Sequence, residues 1–383
     1  MIRDATTLNV MVDTIREFAV NELIPREVEV TENDYIPEEI INKMKELGIF
    51  GLSIPEEYGG LGLTFEEEIN VVFALCYASP VFRSIAGTNI GIGSLGITMN
   101  GNREQKEKYL PKLASGEMIA SFCLTEPDVG SDAAALKTTA IKKDNSYIIN
   151  GTKRFITNAP EAGLFTVFAR TNLEEKKAKG ISAFIVERNN EGISIGPHEK
   201  KMGMLGGHVA DVTFEDCKIP LSALLGEEGR GFISAMKILE RARIHMAAVS
   251  VAVAERIIDE SVKYAVSRKQ FDRPIADFQM IQSMIAESKA ECNAAKCAVI
   301  DAARHYDDGK PITLLSSCCK LFATEMVNRV ADRGVQIHGG YGYIRDNAVE
   351  RLYRDVRLFR LYEGTSEIQK LIIARNLIKE FIQ

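Results

Sequence analysis

The spacing of hydrophobic and polar positions changes twice along the chain. From residue 1 to about 118 it is helical: in IPEEIINKMKELGIF, Ile40, Met44 and Leu47 fall on one face. SIPEEYGGLGLTF breaks the pattern with Pro and Gly and predicts a loop. NREQKEKYLPKLASGE predicts a short polar helix ending at Pro111. From about Ile119 the segments shorten and become β-rich. SYIIN and TKRFIT read as two strands joined at Asn150-Gly151, residues that tolerate positive φ. LFTVFAR, ISAFIVER, GISIG and ADVTFEDCKIP follow with no helical segment between them, which predicts an antiparallel barrel or sandwich. From Gly226 helical spacing returns in three long stretches suited to an antiparallel, four-helix-bundle-like domain. The expected fold class is α+β, with an N-terminal helical domain (1–118), a β domain (119–226) and a C-terminal helical domain (227–383).

The 383 residues, 46% of them hydrophobic, suffice for a large core. A net charge of -6 leaves no basic excess for nucleic acid. No apolar run approaches the ~18 residues of a membrane span, and MAAVSVAVA (246–254) reads as buried helix. The start of the chain lacks the pattern of a secretory signal. Seven scattered cysteines without a C-x-x-C indicate reduced thiols in a cytoplasm rather than disulfides or zinc. The five histidines show no close cluster, so a metal site is not expected.

Four stretches carry candidate chemistry. Gly91-Ile-Gly93-Ser-Leu-Gly96 matches G-x-G-x-x-G but has no strand before it, so close helix packing or room for a ligand is the expected role. In TEPDVGSD (125–132), Thr125 and Ser131 offer hydroxyls and Gly130 a close backbone approach; alone, the motif fits a decorated turn equally well. In RFITNAP (154–160), Phe155 and Thr157 share one side of a strand, facing either a flat ligand or the core. In LYEGTSEIQ (361–369), Glu363 precedes a glycine and a helix start, with Ser366 and Gln369 at capping-box spacing. Arg351, Arg354, Arg357 and Arg360, three apart, read as a solvated helical stripe, with a subunit contact or acidic neighbours as alternatives.

TEPDVGSD, FITNAP, RKQF, QIHGG and LYEGTSEIQ, in this order and at these separations, resemble the acyl-CoA dehydrogenase family from end to end. The motifs are most similar to its short- and medium-chain members. The resemblance implies FAD, held by Phe122, Leu124, Thr125, Gly130, Ser131, Phe155, Ile156, Thr157, Thr365 and Glu367. Arg268, Phe271, Gln279, Gln336, Gly339 and Gly340 would serve a neighbouring subunit's FAD, which implies a homo-oligomer, a tetramer built as a dimer of dimers. Phe155 stands where the family usually has tryptophan, and Asp272 where it usually has glycine. Glu363 matches the catalytic base, with Ser131, Arg243 and Gly364 at the substrate; the alternative base position of some members is Ala242 here. Arg83-Ser84 resembles the pair that binds a distal carboxylate in glutaryl-CoA dehydrogenase, although the acid seven residues earlier is Cys76. The implied reaction is dehydrogenation of an acyl-CoA to a trans-2-enoyl-CoA in fatty-acid β-oxidation, with electron-transferring flavoprotein as acceptor. A dicarboxyl-CoA dehydrogenase, an enoyl-CoA reductase and a flavin-binding subunit without turnover are the alternatives.

Overall fold

Short polar caps and apolar faces divide the first part of the chain into helices: α1 (Ala5–Phe18), α2 (Glu27–Asn33), α3 (Glu38–Glu46), α4 (Phe65–Leu75), α5 (Pro80–Thr88), α6 (Leu95–Asn100) and α7 (Arg103–Ala114). The computed structural model describes residues 4–175 and 177–382, so the outermost residues of the helical segments expected at 1–118 and 227–383 lie outside the described residues. Reciprocal capping boxes open α4 (Thr64 with Glu67) and α7 (Asn102 with Gln105). Helix α7 runs through Pro111 instead of stopping there. Leu110, Leu113 and Ala114 are buried under this turn, and their burial outweighs the one backbone hydrogen bond that proline forfeits.

The strands are β1 (Ala120–Cys123), β2 (Thr139–Lys143), β3 (Ser146–Thr157), β4 (Leu164–Arg170), β5 (Ile181–Glu187), β6 (Ile193–Ile195), β7 (Val209–Pro220) and β8 (Leu224–Leu225). They form one sheet in the order β6-β7-β3-β2-β4-β5-β8. The sheet is mainly antiparallel, but β1 joins β4 in parallel and β2 touches β4 in parallel at Thr139–Arg170. Asn150-Gly151 is not a hairpin turn. The turn lies at Asp144-Asn145, and β3 continues through Gly151 with a register shift against β7. The Asn150 amide and Asp216 bond reciprocally across that shift, which uses the same backbone tolerance to make a bulge.

After the sheet come α8 (Gly231–Ser267), the hairpin β9 (Lys269–Gln270) and β10 (Arg273–Pro274), α9 (Gln279–Asp307), α10 (Thr313–His338), α11 (Ala348–Val356) and α12 (Ser366–Ile382). MAAVSVAVA is buried at every position within α8. The largest core joins both helical regions: Ile69 and Phe73 of α4 and Phe82 of α5 share it with α8, α9 and α10. A second core, with Ile97, Leu110, Phe122, Leu164 and Ile238, ties the sheet to these helices. The face of β1 and β3 and the ends of α5 and α8 therefore meet, and the site forms there.

The arginine stripe is not solvated. Arg351 is buried against Glu27 at 2.7 Å, Arg354 pairs with Glu350, and Arg360 pairs with Glu325 at 2.8 Å. Three of the four arginines thus face acids of their own chain, while Arg357 is half-buried with no acid within ion-pair distance among the described residues. All seven cysteines are free. No helix among the described residues is long and apolar enough to cross a membrane.

Candidate active site

Glu363 lies in the link between α11 and α12 with a left-handed backbone, φ 56°, followed by Gly364 at φ 93°. Such a conformation on a non-glycine residue costs on the order of 1 kcal/mol or more and persists only where neighbours impose it. Here Arg243 Nε donates to the Glu363 carbonyl at 3.4 Å, and Gln369 Nε2 donates to the Gly364 carbonyl at 2.9 Å. Gln369 is thus no capping-box partner of Ser366, whose hydroxyl donates to Glu325. Thr365 caps α12 instead, its Oγ1 accepting from Ile368 N at 3.4 Å.

The residue is half-buried as a whole, but its Oε2 is sealed from water and has no hydrogen-bond partner. Burial pushes the carboxyl up to about 7, against the opposing pull of Arg83, Lys320 and Arg243. It faces a cavity of about 360 Å³. Gly364, Tyr362 and Arg243 lie on the same side, and Arg83 and Ser84 also line it. The wall formed by β1, the turn after it and β3 includes Phe122, Leu124, Thr125, Gly130, Ser131, Phe155, Ile156 and Thr157. Three consecutive residues of an alternating strand cannot all face one side. Phe155 has φ 57°, a bulge that turns 155–157 together toward the cavity, and its ring is 57% exposed.

Among the described residues of its own helical region, no acid lies within ion-pair distance of Arg83. Its Nε donates to His245 Nε2 at 3.3 Å, and its Nη1 lies 3.6 Å from Met246 Sδ, both neutral acceptors. Burial pushes the neighbouring Cys76 thiol up to about 12, so it stays uncharged. Ser84 Oγ is buried without a partner. Ala242 lines the cavity, whereas Glu240 turns away to accept from Thr313 Oγ1 at 2.6 Å.

The chain matches the N-terminal domain of acyl-CoA dehydrogenase over residues 6–117, the middle domain over 121–217 and the C-terminal domain over 229–378. It is 44% identical to 3-(aryl)acrylate reductase of Clostridium sporogenes over 95% of this chain and 96% of that one. It is 42% identical to the caffeyl-CoA reductase-Etf complex subunit CarC of Acetobacterium woodii over 95% and 96% of the two chains. The solved structure of butyryl-CoA dehydrogenase from Megasphaera elsdenii superposes with TM-score 0.95 at 33% identity, covering 99% of this chain and 100% of that one. The chain belongs to the acyl-CoA dehydrogenase family.

Enzymes of this acyl-CoA dehydrogenase family are FAD-dependent oxidoreductases. The wall at β1 and β3 fits that cofactor. It presents an exposed flat ring at Phe155, hydroxyls at Thr125, Ser131 and Thr157, and an open approach at Gly130, where an added Cβ would meet nothing within 4 Å. Gly91 is likewise open on the cavity, while a Cβ on Gly93 would strike Ala120 and the Thr88 carbonyl at 2.9 Å. The G-x-G-x-x-G segment thus combines ligand space with close packing.

The other expected cofactor residues do not line the cavity of their own chain. Arg268, Phe271, Gln279, Gln336, Gly339 and Gly340 are exposed. They cluster around the β9–β10 hairpin and the end of α10, where the Arg268 guanidinium stands 5.8 Å from the ring centre of Tyr341. Thr365 is spent on capping, and Glu367 is exposed.

The sequence reading missed Lys320, His245 and Glu68. Lys320 was detectable as a lone cation amid LLSSCCKLFATEM; Glu68 was hidden among three consecutive glutamates. The expectation of scattered histidines also fails. His198 and His208 stack at 4.7 Å beside Asp34. Both nitrogens of His208 are occupied, by Glu161 and by the Asp34 carbonyl, so the ring has no lone pair for a metal.

Proposed function

We propose that this chain interconverts an acyl-CoA thioester and its trans-2-enoyl-CoA, with Glu363 moving the α-proton. The observation that carries this reading is the Glu363 carboxyl: its Oε2 buried without a hydrogen-bond partner among the described residues, its pKa pushed up to about 7, and the group lining the cavity whose other wall suits FAD. FAD, when bound, supplies the hydride acceptor for oxidation and the donor for reduction. A base with its pKa near the working pH can both take and return a proton. The Glu363 main-chain N–H has no partner among the described residues and is free to polarise the thioester carbonyl. Arg243, bonded to the Glu363 carbonyl, keeps that peptide in place.

The reductive direction is a second reading, favoured by the names of the relatives at 42–44% identity, an arylacrylate reductase and a caffeyl-CoA reductase subunit. In that direction protonated Glu363 delivers the α-proton. The latter relative's Etf complex supports an electron-transferring flavoprotein as partner here. The position of Arg83 on the cavity, hydrogen-bonded only to neutral acceptors among the described residues, supports a carboxylated or otherwise polar acyl tail. The exposed Phe271 and Tyr343 support a homo-oligomer in which a second copy covers them and completes the FAD site.

The test is anaerobic flavin bleaching. Butyryl-, octanoyl- or glutaryl-CoA should bleach the oxidised enzyme, or an enoyl-CoA should restore colour to the reduced one. Glu363→Gln should keep its flavin spectrum and lose ~10²–10⁴-fold in either rate. A Glu363→Gln enzyme that bleaches at the wild-type rate would remove Glu363 as the base.

A further inference from the structure

Helix α10 carries a cation where packing alone would place a hydrocarbon. Lys320 is 0% exposed, and no carboxylate lies within ion-pair distance of its ammonium among the described residues. Burying an ammonium without a counter-ion is costly, so the position must return something. Its Nζ donates to the carbonyl of Gly364 at 2.8 Å. The same carbonyl accepts from Gln369 Nε2, and the carbonyl before it accepts from Arg243 Nε. Three helices, α8, α10 and α12, therefore converge through donor side chains on two consecutive peptide oxygens. Both oxygens follow the left-handed Glu363 and bracket Gly364, so the clamp holds the turn from its C-terminal side and leaves the Glu363 side chain free to face the cavity.

We infer that Lys320 is a positioning residue for the base: its ammonium locks the Glu363–Gly364 turn through the Gly364 carbonyl and sets a fixed positive charge beside the carboxylate. The inference rests on the reading of Glu363 as the base. The charged and titratable groups acting on Glu363 come from every side: Arg83 on α5, Arg243 on α8, Lys320 on α10, and adjacent Tyr362. Those acting on Lys320 are Glu363, Arg243, Glu325 and Glu367. Burial draws the ammonium down to about 8, so it is still mostly charged at neutral pH. Lys320 opposes the upward push of burial on Glu363, and deleting its charge should raise the pH at which the base ionises.

Three variants of the FAD-loaded enzyme test this: Glu363→Gln, Lys320→Met and Lys320→Gln. Each is followed by anaerobic rapid-mixing bleaching from pH 5.5 to ~9, with melting and flavin content measured alongside. Lys320→Met loses both clamp and charge. It should retain flavin, slow bleaching by at least ~10-fold with KM within ~2-fold, and move the midpoint of the pH profile upward. Lys320→Gln keeps an N–H for the carbonyl but no charge. It should recover most of the rate above the midpoint while keeping the upward shift. If Lys320→Met fails to fold, the midpoint of Lys320→Gln decides. A wild-type midpoint in Lys320→Gln, or a wild-type rate in Lys320→Met, beside an inactive Glu363→Gln, overturns the role of Lys320 alone. An active Glu363→Gln overturns the base assignment beneath it.

Discussion

Arg83 Nε stands 3.3 Å from His245 Nε2, so that nitrogen is an acceptor and the imidazole carries its proton on Nδ1, which lies 3.2 Å from Glu68 Oε1. Burial, then the charge of Arg83, holds the His245 pKa down at about 4. The ring is neutral, so His245 adds no charge to the guanidinium, whose field acts on the Glu363 carboxyl across the cavity. Gly87 tests what that charge does. A Cβ there would fall 2.1 Å from Arg83 Nε and 2.5 Å from its Cζ, so the guanidinium must swing away from His245. Gly87→Ala should change melting little, because the up to ~1 kcal/mol that alanine gains over glycine inside a helix offsets the roughly 1 kcal/mol of the lost Arg83–His245 bond. It should raise KM for a carboxylated acyl-CoA by ~10-fold if the displaced charge held the tail, a loss of about 1.4 kcal/mol. KM for butyryl-CoA should stay the same. Equal changes for both substrates would show that Arg83 does not read the tail.

Glu363 also makes stability depend on pH. Its folded pKa of about 7 lies above the ordinary carboxyl value of 4.5. Between those values the folded state binds more protons than the unfolded state, so stability falls as pH rises through this window and is level above it. The penalty at pH 8 is roughly 3 kcal/mol. Glu363→Gln has no such cost. Urea unfolding of the flavin-free protein should show this variant gaining on the wild type from pH 4.5 to 7, and by a constant amount above. A difference independent of pH would mean that the carboxyl ionises freely in the fold.

Much of this site was legible in the sequence because its chemistry is local. Thr125, Ser131, Phe155 and Glu363 sit in short motifs whose order already carried the resemblance, and all four line one cavity. What was not legible depends on tertiary partners. Pro111 reads as a helix end until Leu113 and Ala114 are seen to be buried beyond it. Asn150-Gly151 reads as a turn because a bulge needs the same backbone freedom, and only pairing with β7 separates the two. Gln369 has capping-box spacing but is drawn to the Gly364 carbonyl. Glu68 meets His245 from a helix far away in the chain, and Lys320 reaches the Gly364 carbonyl from a third; no periodicity announces either contact.

Glu68 is the hidden support of His245 and Arg241. It is buried and ion-paired with Arg241, whose guanidinium also stacks 4.1 Å from the ring centre of Phe65. Burial raises its pKa, but Arg241 and His245 overcome this and hold it at about 2. The folded value lies below the ordinary 4.5, so this contribution is complete above pH 4.5 and lost as pH falls through 2. Glu68→Gln leaves Arg241 buried without its counter-charge and should cost ~3–5 kcal/mol at pH 7. The deficit relative to wild type should shrink as pH falls below 4.5. Unfolding curves at pH 7 and pH 3.5 check both statements; a loss under 1 kcal/mol would mean that water reaches the pair.

The β9–β10 turn holds strain that its own chain does not use. Phe271 and Asp272 both have positive φ, 52° and 61°, the pattern of a two-residue hairpin turn that asparagine and glycine fill best. Asp272 tolerates this conformation, but Phe271 is a poor choice, and its ring is 86% exposed. A strained and exposed aromatic is explained if a second copy covers it. Phe271→Asn should therefore relieve the backbone by ~0.5–1 kcal/mol while weakening assembly. Expected are unchanged or slightly raised resistance to urea in the flavin-free protein, a smaller mass by light scattering at micromolar concentration, and a lower flavin-to-protein ratio. Retention of both mass and flavin would place the subunit contact elsewhere.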